Sequence, residues 1–359
     1  MKKICIVAGA RPNFVKVAPL LRAFDKAAGA ECTLIYAGRE DDTTLEASLF
    51  DDLQMRRPDV FLGVDSQSLN EITAQVMGAL DTYLEQHPTD VVIVVDDLAS
   101  TMAAAITAKK RGIRVAHLVA GTRSFDIAMP KEINRLVIDA LSDYLFTAGV
   151  KSNSVATREQ QSETAQTYMV GNILMDTLRY NLPRFCQPSI PVAGGRYLVL
   201  TLNRRALLSD EAQLRQMLQT LHDETADMPI VAPLRGLALG VVVRLLTELG
   251  FSSSKFMVQN SMPYLGFGWL TAHACGIITD SGNVAEEATF NGVPCITLND
   301  YTEHQETVSV GTNVLVGSDA AKLSAALADM VRGEWKKAAL PDRWDGRSAE
   351  RIVQILLNQ

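Results

Sequence analysis

Short, uninterrupted apolar runs alternate with longer helical patterns along almost the whole chain, and that rhythm restricts the fold more than any other feature. Ile4–Val7 reads as a buried strand, and Gly9-Ala10-Arg11-Pro12 turns it into an amphipathic helix over Phe14–Ala27. Cys32–Tyr36 is the next strand. A helix at Asn70–Gln86, a strand at Val91–Val95, a helix from Ser100 to Lys110 and a strand at Val115–Val119 follow. The strands are apolar throughout instead of alternating, as expected for a parallel sheet covered by helices on both faces.

The rhythm lapses at Phe185–Gly195, where proline, glycine and serine read as an interdomain linker. It resumes at Tyr197–Leu202 and continues through Pro229–Ala232, Lys255–Val258, Gly276–Thr279 and Pro294–Leu298. At 359 residues the chain exceeds what one hydrophobic core usually supports. The expectation is two doubly wound α/β domains, residues 1–185 and 186–340. A C-terminal segment, 341–359 with its helix at Ala349–Asn358, is expected to pack back across a domain. Two such halves predict a central cleft lined by the carboxyl ends of both sheets, where open α/β folds bind ligands.

Composition narrows the function. A formal net charge of -7 argues against a nucleic-acid partner, which calls for a basic face. An acidic chain still holds an anion where a few cations and helix N-termini converge. The five cysteines are scattered with no CxxC pair, which predicts buried thiols in a reducing compartment. The histidines are equally dispersed and show no HExxH, so no metal is expected. The first apolar stretch is too short for a signal peptide and no later run approaches a membrane span, so a cytoplasmic protein without a membrane partner is expected.

The chemistry-bearing strings sit where strands end. After the first strand comes Gly9-Ala10-Arg11-Pro12-Asn13-Phe14-Val15-Lys16, a tight turn opening a helix with two cations beside it. It suits an anion, although an ordinary βα loop gives the same string; neither GxGxxG nor a P-loop is present. Asp96-Asp97 ends the third strand. Either residue suits a helix cap, and two adjacent carboxylates also repel each other and invite a raised pKa. Beyond the next strand lie His117, Arg123, Asp126 and Pro130-Lys131-Glu132-Ile133-Asn134-Arg135. On spacing alone, Glu132 and Arg135 read as a solvated ion pair. In the second half, Thr279-Asp280-Ser281-Gly282-Asn283 opens a helix over Val284–Phe290, with Glu286 and Glu287 expected in its first turn. That string fits a phosphate cradle and equally an N-cap by Ser281 or Asn283. Tyr264 and Phe267 suit a stacked base or a place in the core.

Together these strings resemble the non-hydrolysing UDP-N-acetylglucosamine 2-epimerases. The matching residues are Gly9-Ala10-Arg11-Pro12-Asn13 with Lys16, Asp97 with Ser100-Thr101, Ala120-Gly121, Arg123-Ser124-Phe125-Asp126, and Met129-Pro130 with Glu132 and Asn134-Arg135. They continue through Val170-Gly171-Asn172, Asp176-Thr177, Thr279-Asp280-Ser281-Gly282, Glu286-Glu287-Ala288, Thr302-Glu303 and Gly311–Gly317, in order and over nearly the whole chain. The resemblance implies two Rossmann-like domains in the glycosyltransferase-B arrangement, a cytoplasmic homodimer, a UDP-sugar ligand, and an isomerase serving polysaccharide biosynthesis without cofactor or metal. The implied reaction removes the C2 proton, expels UDP and adds it back with inverted configuration at C2.

Position by position, the resemblance implies Asp97, Glu132 and Arg11 as catalytic groups. It implies Lys16, Arg135, Asn203, Phe267, Ser281, Gly282, Asn283, Glu287 and His304 as substrate-binding groups, with Phe267 toward the uracil, Ser281 and Gly282 toward phosphate and Glu287 toward the ribose. The chain departs from the family pattern where a glutamate becomes Val119, a histidine Asn203, an arginine His304 and a glycine Asp96. Asp96 is expected to stand in for the missing carboxylate if its turn aims it inward. The alternative expectation is a nucleotide-sugar-binding homologue with lost or altered catalysis.

Overall fold

The computed structural model describes residues 1–190, 195–226 and 228–359, so residues 191–194 of the expected linker lie outside the described residues. The chain forms two compact units, one of residues 1–181 and 342–359 and one of residues 182–341.

The first unit is a seven-stranded parallel sheet of β1 (Lys2–Ala8), β2 (Ala30–Tyr36), β3 (Val60–Phe61), β4 (Val91–Val95), β5 (Arg114–Ala120), β6 (Tyr144–Thr147) and β7 (Gln166–Met169), in the order β3-β2-β1-β4-β5-β6-β7. All five residues of β4 are buried, as a central strand covered on both faces requires. The order reverses between β1 and β4. At such a switch point the loops leaving the two strands diverge and open a crevice at the carboxyl edge.

The second unit repeats the plan with six strands, β8 (Leu198–Thr201), β9 (Ile230–Leu234), β10 (Phe256–Asn260), β11 (Gly276–Thr279), β12 (Cys295–Thr297) and β13 (Asn313–Leu315), in the order β10-β9-β8-β11-β12-β13. Its switch point lies between β8 and β11. Both units are thus Rossmann-like, with parallel sheets and intervening helices. Four strands escape the sequence reading: β3, β6, β7 and β13. The longest of them has four residues, too short to show a period.

The C-terminal helix Ser348–Asn358 packs within the first unit on the helices Phe14–Lys26 and Ile173–Asn181. Asp176 accepts the free N–H groups of Ser348 and Ala349 at 3.0 and 2.8 Å, and its burial pushes the carboxyl up to about 6. The buried Trp344 donates its indole N–H to the Ala148 carbonyl at 3.0 Å. Asp176→Ala strips this helix of its cap and is expected to cost about 1–2 kcal/mol in urea unfolding. The cysteines only partly follow expectation: Cys5 and Cys295 are buried, Cys32 and Cys275 half-buried, and Cys186 exposed on the stretch just after the first unit ends.

Candidate active site

In the first unit, three turns at the carboxyl edge are locked to one another. Asn13 closes the turn after β1 by accepting the N–H groups of Gly9 and Ala10 at 2.8 and 3.2 Å. Its amide donates to Asp96 Oδ2 at 2.8 Å, and Lys16 Nζ meets Asp96 Oδ1 at 2.5 Å. Lys16 is buried and its charge is answered by Asp96. Arg11 is half-buried and has no hydrogen-bond or ion-pair partner among the described residues, which leaves its guanidinium available to an anion.

Asp96 and Asp97 diverge: Asp96 ties to the helix after β1, whereas Asp97 ties to the helix Pro130–Leu141. Arg135 Nε and Nη2 both reach Asp97 Oδ2, at 2.9 and 2.6 Å, and Lys131 Nζ lies 3.4 Å from Oδ1. Glu132 Oε2 accepts from the Ser124 N–H and hydroxyl, both at 2.9 Å, and from Arg135 at 3.1 Å; its Oε1 accepts the Phe125 N–H at 3.1 Å.

Three expectations change here. Neither aspartate caps the following helix Ala99–Lys110, because Thr101 Oγ1 accepts the Leu98 N–H at 3.0 Å instead. Glu132 and Arg135 are not solvated; they are 2% and 3% exposed. Burial pushes the Asp97 carboxyl up, but Lys131, Arg135 and Lys16 outweigh it and hold it below its ordinary value. Glu132 is likewise held low, its burial outweighed by Ser124, Phe125 and Arg135. The expected rise of Asp97 from its neighbour Asp96 is thus not seen, because Lys131, Arg135 and Lys16 answer its charge. Both Asp97 and Glu132 are therefore ionised at neutral pH.

The helix Pro130–Leu141 explains this arrangement by its inverted pattern. Glu132, Arg135 and Asp139 face inward at helical spacing, while Ile133 and Leu136 are exposed. Asp139, absent from the sequence reading, receives His117 Nδ1 at 2.5 Å, Arg123 Nη1 at 2.7 Å and the Gly121 N–H at 3.0 Å. The stripe Glu132, Arg135, Asp139 was the signal that would have revealed it. Asp126 is exposed and accepts the Ala128 N–H at 3.0 Å within its own loop.

Val119 sits at a register shift in β5 with φ 74°, a left-handed conformation that a β-branched residue rarely adopts. Asp96 beside it has φ 60°, which aspartate tolerates better. Val119→Gly is expected to raise stability by about 1 kcal/mol in thermal unfolding, because relief of strain of roughly 1–3 kcal/mol exceeds the added chain entropy.

In the second unit, the Asp280 carboxylate, just past β11, accepts the Asn203 N–H at 3.0 and 2.8 Å and the Arg204 N–H at 2.7 Å. It thereby folds the loop after β8 against the start of the helix Gly282–Asn291. Ser281 occupies the cap position, but among the described residues neither it nor Asn283 gives that helix a side-chain cap bond. The first-turn N–H groups are left for an anion, beside exposed Gly282 and Asn283. Glu286 and Glu287 lie in the second turn, not the first, and are buried. Glu287 Oε2 has no hydrogen-bond partner among the described residues, and burial, with Glu286 adding to it, pushes its carboxyl up to about 8. His304 Nε2 approaches Glu286 Oε1 at 3.5 Å, Asn203 is exposed, and Phe267 is half-buried against the unit's core.

Glu287 makes stability depend on pH. Its carboxyl titrates near 4.5 when unfolded and near 8 when folded, so the fold retains the proton across that window. Its contribution is complete below 4.5 and is lost as pH rises through 8. Glu287→Gln is expected to flatten this decline, gaining most over the unaltered chain at pH 9 and least at pH 4 in paired thermal melts.

Two doubly wound units, each with charged or anion-receptive groups at the carboxyl edge of its sheet, define an α/β protein of the Rossmann-like class. The chain belongs to the UDP-N-acetylglucosamine 2-epimerase family, whose sequence model matches residues 22–357. A UDP-N-acetylglucosamine 2-epimerase of Methanocaldococcus jannaschii is 32% identical, over 99% of this chain and 98% of the relative. The crystal structure of the M. jannaschii UDP-GlcNAc 2-epimerase in complex with UDP-GlcNAc and UDP superposes with a TM-score of 0.85, covering 99% of this chain and 100% of that one. A Pseudomonas aeruginosa UDP-2,3-diacetamido-2,3-dideoxy-D-glucuronate 2-epimerase is 30% identical over 88% of each chain. Among the described residues no helix is long and apolar enough to cross a membrane, and no group of three or more metal-ligating side chains occurs.

Proposed function

We propose that the protein is an epimerase that inverts C2 of UDP-N-acetylglucosamine by eliminating and re-adding UDP. The observation that carries this reading is the pair of ionised carboxylates, Asp97 and Glu132, joined through Arg135 at the switch point of the first sheet. A carboxylate takes the C2 proton, the C2–H electrons form the C1–C2 double bond, and the C1–O bond breaks to release UDP. Re-addition of UDP to C1, with proton delivery to the opposite face of C2, gives the epimer. Arg11, with its charge unanswered, stabilises the departing diphosphate.

In the second unit, the uncapped start of the helix Gly282–Asn291 holds phosphate through Ser281, Gly282 and Asn283. The partnerless Glu287 oxygen accepts a ribose hydroxyl, and Phe267 packs on the uracil. Asn203 and His304 add donors for the diphosphate, and Lys16 and Arg135 act by fixing the carboxylates. The enzyme works in the cytoplasm as a homodimer and supplies activated amino sugar for polysaccharide assembly. The exposed apolar side chains of Phe125, Ile127, Ile133 and Leu136 favour pairing of two copies.

Incubation with UDP-N-acetylglucosamine, followed by NMR of the anomeric region, is expected to show UDP-N-acetylmannosamine growing to a constant ratio. Unchanged substrate, under conditions where UDP raises the melting temperature, would refute the reaction while leaving nucleotide binding intact.

A further inference from the structure

We propose that His117 is a positioning residue, held as an imidazolium that clamps the Asp96-Asp97 turn to the helix Pro130–Leu141. The ring is 1% exposed at the side chain and meets an acceptor at each nitrogen: Asp139 Oδ1 at 2.5 Å from Nδ1 and the Asp96 carbonyl at 2.9 Å from Nε2. A carbonyl oxygen only accepts. Asp139 is also engaged as an acceptor, because its other oxygen takes the Gly121 N–H and the Arg123 guanidinium. Two acceptors require two N–H groups, so both ring nitrogens carry hydrogen.

Around the ring, Arg123 pairs with Asp139 and, at 2.9 Å, with Glu159, which also meets Arg158 at 3.3 Å. The remaining charged groups on the turn, Asp96 with Lys16 and Asp97 with Arg135 and Lys131, are each paired.

The clamp acts on the backbone that carries Asp97. His117 holds the carbonyl of Asp96, and Asn134 Nδ2 holds the next carbonyl, that of Asp97, at 2.8 Å. Two successive carbonyls are thus fixed by side chains of different elements, which sustains the left-handed φ of Asp96 and aims the Asp97 carboxylate at Arg135. The kinetic part of this inference rests on Asp97 being an acid/base group; the protonation of the ring does not.

A long-range proton–nitrogen NMR spectrum of ring-labelled protein at pH 7.5, where a free imidazole is mostly neutral, reads the ring directly. The expected result is hydrogen on both nitrogens of His117 and loss of one of them in Asp139→Asn. One bare nitrogen in the unaltered protein would overturn the proposal, whether or not the chain is an epimerase. His117→Gln keeps an amide donor for the Asp96 carbonyl but not the charge for Asp139, and His117→Ala keeps neither. The turnover rate is expected to fall roughly 10-fold in His117→Gln and roughly 100-fold in His117→Ala, with KM and UDP affinity unchanged. Unaltered turnover in a folded His117→Ala, or equal losses in kcat and substrate affinity, would remove the positioning role.

Discussion

Asp97→Asn is expected to slow formation of the C2 epimer from UDP-N-acetylglucosamine by roughly 10²–10⁴-fold while leaving UDP affinity close to that of the unaltered protein. The amide keeps the size of the carboxylate but has only one accepting oxygen and no basicity. Arg135 directs two N–H groups at the single oxygen Asp97 Oδ2, so the amide oxygen keeps both bonds but loses the charge that strengthens them. The wide range reflects whether Glu132, 3.1 Å from the same guanidinium, takes over part of the proton transfer. Initial rates set beside a UDP titration separate chemistry from binding. A variant that kept the original rate would move the acid/base work away from Asp97.

Gly121→Ala is expected to be the most destabilising single change near the site, costing about 4 kcal/mol in urea unfolding. Gly121 has φ +74°, and a Cβ there would lie 2.0 Å from the backbone oxygen of Ser152 in the helix Val150–Glu159. No rotamer change relieves a clash with backbone, so the helix or the turn must shift. Either movement disturbs the Gly121 N–H bond to Asp139 and through it the His117 cluster. Val119, two residues earlier and also left-handed at φ 74°, shows the opposite sign, since there the side chain is the strained element.

What was legible in the sequence follows physical rules. Strands such as Val91–Val95 are continuous β-branched runs that only a doubly covered parallel sheet accommodates, and the glycine-bearing turns mark where they end. The two-residue β3 and the three-residue β13 carry no period at all, and register with a neighbouring strand alone defines them. At the site, Asp97, Glu132 and Arg135 were visible as a string, but their burial was not. Spacing three apart on a helix describes equally a solvated pair and a buried one, and which face turns inward depends on the rest of the sheet. Asp139 went unnoticed because its partners, His117, Gly121 and Arg123, lie 16–22 residues away. The displacement of Glu286 and Glu287 into the second turn followed from the helix beginning at Gly282, two residues before the expected start. One turn separates a carboxylate serving the helix dipole from one buried with an unused oxygen.

The account turns on whether ionised carboxylates at the edge of the first sheet exchange the proton at C2. Incubating the protein with UDP-N-acetylglucosamine in D₂O and recording the sugar spectrum by proton NMR and mass spectrometry measures this directly. The account predicts one deuterium per sugar, confined to C2, in both epimers, and loss of that label in Asp97→Asn. A full complement of protium at C2 after prolonged incubation with folded, UDP-binding protein would contradict it.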